Sequence, residues 1–175
     1  MKKTSLILAA AAVALIVVGT SAAHVEPAVE EAPAGASTII PFVVPHGCDG
    51  SPTRSVSVKI AAGVTSAKPQ AKPGWKLTIT RGKLPKPVKD FAGNTVTRGV
   101  LSVTWSGGNL PDSQFDTFNI LLGMPNTPGK TVYFPVVQRC ARGVTRWIEI
   151  PKKGQEEPEH PAPGVKLVKS SGEHD

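Results

Sequence analysis

The stretch Ser55-Val-Ser-Val-Lys-Ile60 (SVSVKI) alternates polar residues with Val56, Val58 and Ile60. In an extended chain successive side chains point to opposite faces, so this pattern predicts a strand with one buried face. The same period of two recurs outward from it. Trp75, Leu77 and Ile79 share a face, as do Leu101, Val103 and Trp105, and then Phe118, Ile120 and Leu122. With Ser37 to Val44, Tyr133 to Val137 and Thr145 to Ile150, seven strands are expected. No window of a dozen residues beyond the N-terminal apolar run has helical spacing. Pro73-Gly74, Gly93-Asn94, Gly107-Gly108 and Pro128-Gly129 read as turns. Short strands with frequent turns predict an all-β chain, a β-sandwich with Greek-key connections.

The ends of the chain differ from this middle. Lys2 and Lys3 precede an apolar run, Leu6 to Val18, followed by the small residues Ser21-Ala22-Ala23. These are the three parts of a secretory signal peptide (1–23), with cleavage expected after Ala23. The run holds 13 residues, short of the ~20 that a spanning helix needs. No Cys stands at the next position and no twin-arginine pair precedes the run, so a lipoprotein anchor and that export route are not indicated. The predicted mature chain keeps 152 of 175 residues, enough for one domain, here 24–151. Residues 152–175 (KKGQEEPEHPAPGVKLVKSSGEHD) are rich in charge, Pro and Gly and are expected to form a polar, disordered tail. Nothing in the mature chain reads as a membrane span.

The formal net charge is +7, and removing the leader's two lysines lowers it to +5. The basic residues are scattered rather than clustered with aromatics, which argues against nucleic acid as a partner. Cys48 and Cys140 are the two cysteines. In an exported chain they read as one disulfide; the alternative, thiolate ligation of a metal, lacks CxxC spacing and neighbouring cysteines.

Cleavage after Ala23 would make His24 the first residue. A terminal histidine offers its α-amine and its Nδ1 together, closing a six-membered chelate ring. Cupric ion favours nitrogen donors in a tetragonal array and tops the Irving–Williams order. A free α-amine titrates near ~8, so binding would release a proton and weaken as pH falls. Glu26, Glu30 and Glu31 are nearby carboxylates, and Asp116 is an acid within an apolar strand pattern. Met124 is the one methionine left after cleavage, too few for a methionine-rich Cu(I) carrier. His46, in Pro45-His-Gly-Cys48, is expected to belong to a loop held by the disulfide. His160 and His174, in the tail, are expected to preform no site.

Several blocks in order, HVEPAVEEAPAGAS, FVVPHGCDGSPT, KPQAKPGWKLTITRGKL, LSVTWSGGNLPDSQFDTF, YFPVVQRC and RWIEIP, resemble the YcnI-like domain, from His24 to about Pro151. The resemblance implies a cupredoxin-like or immunoglobulin-like sandwich, exported and associated with copper handling. It implies a single-histidine brace: the amine and imidazole of His24 plus a carboxylate, matched here to Glu31, with Asp116 as the less certain alternative. It implies a tryptophan packed at the copper, matched to Trp147; packing against the sheet is the other reading of that residue. Two departures stand out. Many relatives carry two successive acids before the phenylalanine, where this chain has Asp116-Thr117-Phe118, and many end in a membrane-spanning helix, where this chain has a polar tail.

The leading expectation is an exported Cu(II)-binding protein of the periplasm or extracytoplasmic space. It would store, buffer or deliver copper in the manner of a metallochaperone, with other copper-trafficking proteins of the cell envelope as partners. A copper-dependent oxidative enzyme with a histidine-brace site is the alternative, but it needs a second facing histidine, for which His46 is the sequence candidate. A metal-free, partner-binding sandwich explains the strands but not His24. No Ser–His–Asp or paired-carboxylate spacing supports hydrolysis, so no enzyme activity is expected.

Overall fold

The computed structural model describes residues 24–170. The expected signal peptide (1–23) and His174 lie outside the described residues. Twelve strands form three sheets, and no helix occurs among the described residues. In chain order they are β1 (Glu26–Pro27), β2 (Glu31–Pro33), β3 (Ser37–Val44), β4 (Thr53–Lys59), β5 (Ser66–Pro69) and β6 (Lys76–Lys89). Then follow β7 (Thr95–Leu110), β8 (Asp116–Gly123), β9 (Thr131–Tyr133), β10 (Val136–Cys140), β11 (Val144–Trp147) and β12 (Gly164–Val168).

The Ser55–Ile60 alternation holds as read: Val56 and Val58 are fully buried and Ile60 nearly so. Their strand, β4, lies at the centre of a five-stranded sheet ordered β11-β10-β4-β7-β6. A four-stranded sheet, β1-β3-β8-β5, packs against it. Inward residues alternate along its two central strands: Ile40, Phe42 and Val44 on β3, Phe118, Ile120 and Leu122 on β8. Trp105 of the facing sheet meets Phe118 edge-on at 5.3 Å between ring centroids. Consecutive strands β3 and β4, and β7 and β8, lie in different sheets, the crossing connectivity of a Greek-key sandwich.

Parity breaks where the strands bulge. Leu101 is half-buried while Val100 and Val103 are buried, because β6 and β7 slip register between Thr80 and Arg81. One extra residue in a strand turns the following side chains over. Gly107-Gly108 is not a turn but lies inside β7. Gly107 has φ +79°, and the β4–β7 ladder skips there, with Ser55 opposite Ser106 and Thr53 opposite Leu110. Ile79, expected to face inward, is 38% exposed on the edge strand β6. The Tyr133–Val137 run divides at Pro135, which has no N–H for a ladder: β9 belongs to a third sheet and β10 to the five-stranded one.

That third sheet corrects the expected domain boundary. Its order is β2-β12-β9, and β12 comes from the segment read as a disordered tail. Val165 and Leu167 are completely buried in the core, and β12 pairs in parallel with β2 and antiparallel with β9. The charged, Pro-rich run before it masked a five-residue strand whose alternation is as regular as that of β4. The domain therefore continues through Val168.

Candidate metal centre

His24 stands two residues before β1, and the register of β1 on β3 (Glu26 opposite Val43) carries it toward the Val44–His46 end of the sandwich. Its imidazole is half-buried and lies 5.5 Å from the Trp147 ring, tilted by 55°. Trp147 closes β11 and is 4% exposed. An indole N–H so deeply placed needs an acceptor, and Nε1 donates to Gln138 Oε1 at 3.0 Å. Gln138, on the neighbouring strand β10, is itself buried; its Nε2 donates to the His46 carbonyl at 2.7 Å and to Thr53 Oγ1 at 2.8 Å. All of its amide groups are thus engaged, which fixes which end of the amide faces the tryptophan.

The loop that supplies the His46 carbonyl is held in three ways. The Cys48–Cys140 disulfide ties it to the end of β10. Gly47 N–H donates to Asp112 Oδ1 at 3.0 Å. Cys48 and Ser51 exchange backbone hydrogen bonds. A side chain at Gly47 would meet the Ser51 carbonyl at 2.0 Å, so the loop closes only with glycine there. His46 Nδ1 lies 2.6 Å from the Gly47 carbonyl, consistent with the loop role expected of it.

A second histidine reaches the same indole. His160 packs against Trp147 edge-on, at 5.2 Å and 74°. Its backbone N–H donates to Glu149 Oε2 at 2.8 Å, its carbonyl accepts from Glu149 N–H, and Glu149 carbonyl accepts from Ala162 N–H. Residues 149–162 therefore form a closed strap, anchored beyond by β12. His160, expected in a disordered tail, lies instead in this strap: once β12 is part of the sandwich, the chain before it returns across Trp147.

The carboxylates are disposed differently. Glu31 is on β2, seven residues after His24, with bends at Ala28 and Glu30 between β1 and β2. Its carboxylate pairs with Lys166 Nζ at 2.6 Å across the β2–β12 ladder. That hydrogen bond raises the lysine above its ordinary value. Asp116 lies opposite Val44 on β8 and accepts from Lys72 Nζ at 2.6 Å and from Thr117 N–H. Lys72 also sits 5.0 Å over the Phe118 ring. Met124 is fully buried in the core, out of reach of a surface ion. Among the described residues no three His, Cys, Asp or Glu side chains gather around one point. The sequence-derived pair His24 and Trp147 is brought together; Glu31 and Asp116 each hold a lysine instead.

The arrangement offers nitrogen donors on an indole platform. The family model described as a domain of unknown function, DUF1775, matches residues 24–167. The chain belongs to the DUF1775 family. The match begins at His24 and includes β12, and YcnI-like copper-binding proteins belong to the same family. A solved structure titled as an uncharacterized protein from Nocardia farcinica with an immunoglobulin-like fold superposes on this DUF1775 chain with a TM-score of 0.63. The two are 28% identical, over 83% of this chain and 98% of the other. No curated protein matches the chain. The immunoglobulin-like form of the sandwich, one of the two that the resemblance implied, is therefore the one observed.

Gln138 and Glu149, which hold Trp147 and the strap, are the residues that the sequence did not single out. Gln138 follows an apolar run, Tyr133 to Val137, and falls in register with Val136 on the inward face, the one signal that could have found it.

Proposed function

We propose that this protein is an exported Cu(II)-binding protein that stores, buffers or delivers copper. The metal is held by the α-amine and imidazole of His24 after cleavage behind Ala23, and Trp147 walls the site. The observation that carries this reading is the packing of His24 on a buried indole whose N–H is locked by Gln138. An imidazole held against a fixed wall loses little freedom on binding, and the chelating amine adds a second nitrogen at small entropic cost. Such a donor set suits cupric ion. A chain that crosses into an oxidising compartment would also form the Cys48–Cys140 bond. Glu31 is the carboxylate matched to a third donor; to serve, it must leave Lys166.

The test is a Cu(II) titration of mature protein beginning at His24, read by calorimetry and electron paramagnetic resonance. One tetragonal Cu(II) per chain is expected. His24→Ala, or one additional residue in front of His24, should abolish stoichiometric binding, because each removes one arm of the chelate. Unchanged affinity in either variant overturns the proposal.

A further inference from the structure

We infer that the cleft between the β6–β7 hairpin and the Ile60–Gly63 loop binds a single-chain amphiphile with an anionic head group. β4 pairs with β7 only from Ser102 onward, so the half of the hairpin from Arg81 to Val100 has no partner strand on that side. Two irregularities shape this free half. The ladder slips at Leu101, and further on Leu84-Pro85-Lys86-Pro87 of β6 stand against Thr97 alone. Pro85 and Pro87 have no N–H to give a ladder, so the segment cannot pair and bends away as a bulge. Gly82 and Gly99 face each other across the ladder. A Cβ at Gly82 would meet Leu101 at 2.6 Å, and one at Gly99 would meet Leu84 at 3.1 Å. The two leucine side chains therefore lie over glycine, and both line the cleft.

The cleft encloses about 440 Å³, within the range of small-ligand sites. Ile60, Val88, Val100 and Pro135 complete its apolar wall. Water in such a space finds few hydrogen-bond partners, so an apolar chain displaces it favourably. The charged side chains of the lining are all lysines: Lys59, Lys83 and Lys86. All three are exposed, and none pairs with a carboxylate among the described residues. Such side chains lay their aliphatic stems along apolar surface and keep the ammonium in water, here at the mouth. Arg98, opposite Lys83, adds to the positive field. The sole acid between Lys76 and Leu110 is Asp90, already engaged by the backbone of its own turn. An apolar wall with a cationic mouth fits a chain ending in an acid and disfavours a chain ending in an amine. No residue of this cleft belongs to the Trp147 site, so the inference stands apart from the copper reading.

The probe is decanoate, added below its micelle concentration to the metal-free mature chain and followed by calorimetry and methyl NMR. One decanoate per chain is expected, with shifts at the methyls of Ile60, Leu84, Val88, Val100 and Leu101. Shortening the chain should weaken binding by about fourfold for each methylene removed. Decylammonium, with the same chain and the opposite charge, should bind far more weakly than decanoate. The triple variant Lys59→Gln, Lys83→Gln, Lys86→Gln should melt like the parent and bind decanoate roughly tenfold more weakly or worse. Lys152→Gln with Lys153→Gln, which removes charge elsewhere, should leave decanoate binding unchanged. Lack of saturable binding, shifts confined to other methyls, or equal affinity for decanoate and decylammonium would each overturn the inference. The last comparison uses the parent alone and decides the matter even if the triple variant fails to fold. A folded triple variant that binds decanoate as the parent does would also overturn it.

Discussion

Gln138 shows how much one side chain can hold at this site. It satisfies the Trp147 indole, the His46 carbonyl and the Thr53 hydroxyl at once. Replacing it by leucine keeps the volume and removes the acceptor of the buried Trp147 indole N–H. An orphaned buried polar group costs about 1–3 kcal/mol, so Gln138→Leu should lower unfolding free energy by at least that much in urea. Copper affinity should fall with it, since the indole is then free to shift beneath His24. A loss under ~0.5 kcal/mol, the range of an idle surface change, would mean that the network does not position the tryptophan. At this scale the sequence was half legible. His24 stands out because its place behind a cleavage signal has chemical meaning, whereas a glutamine in a strand reads as surface and its partners lie 85 and 92 residues away.

Among the elements, β12 is the one that local reading lost and packing supplies. Its five residues follow a run of charge and proline that has no apolar content of its own, and the strand exists because β2 and β9 leave a slot between them. Leu167→Ala should therefore cost 2–5 kcal/mol, as removal of a large buried aliphatic does; a chain ending at Pro151 should fail to give a cooperative melt. A truncated chain that melts like the parent would return the segment to the status of a tail. By contrast, β3 was legible as a strand and the buried faces of β4 and β8 residue by residue, since a one-step slip would expose every core side chain they carry. The β6–β7 hairpin was legible only in its buried half. Its tip is closed by Asp90, whose carboxylate accepts from the backbone of Asn94 and Ala92. The Asn94 backbone bond foremost holds it below the ordinary 3.8. A depressed carboxylate steadies the turn at all pH values above 3.8 and releases it as pH falls through the lowered value. The amide shifts of Ala92 and Asn94 should move together with a midpoint below 3.8; a midpoint at or above it would show that these bonds do not form.

Across the whole molecule, one covalent bond joins the site to the fold. The disulfide links Cys48, in the loop that presents the His46 carbonyl, to Cys140, two residues past Gln138, and spans 92 residues. Closing a loop of that length restricts the unfolded chain by roughly 4–5 kcal/mol in the chain-entropy model, against a total of about 5–15 kcal/mol for an ordinary domain. The sandwich itself does not need the link: its two sheets meet over Phe42, Phe118, Trp105 and their neighbours, all remote in sequence and already buried. The loop leans on it more, because between Val44 and Thr53 it is held otherwise by hydrogen bonds alone: a few main-chain bonds and those to the Asp112 carboxylate, the Gln138 amide and the Ser51 hydroxyl. The double variant Cys48→Ala, Cys140→Ala should thus remain folded at low temperature with a β-sheet circular dichroism spectrum, but unfold at lower denaturant with a steeper slope, because the unfolded chain without the link exposes more surface. Its Gln138–His46 bond should loosen, so that copper affinity drops more than in a variant of equal stability loss made far from the loop, such as Leu122→Ala. Equal affinity losses in the two variants would mean that the disulfide acts on the unfolded chain alone and contributes nothing to the geometry around Trp147.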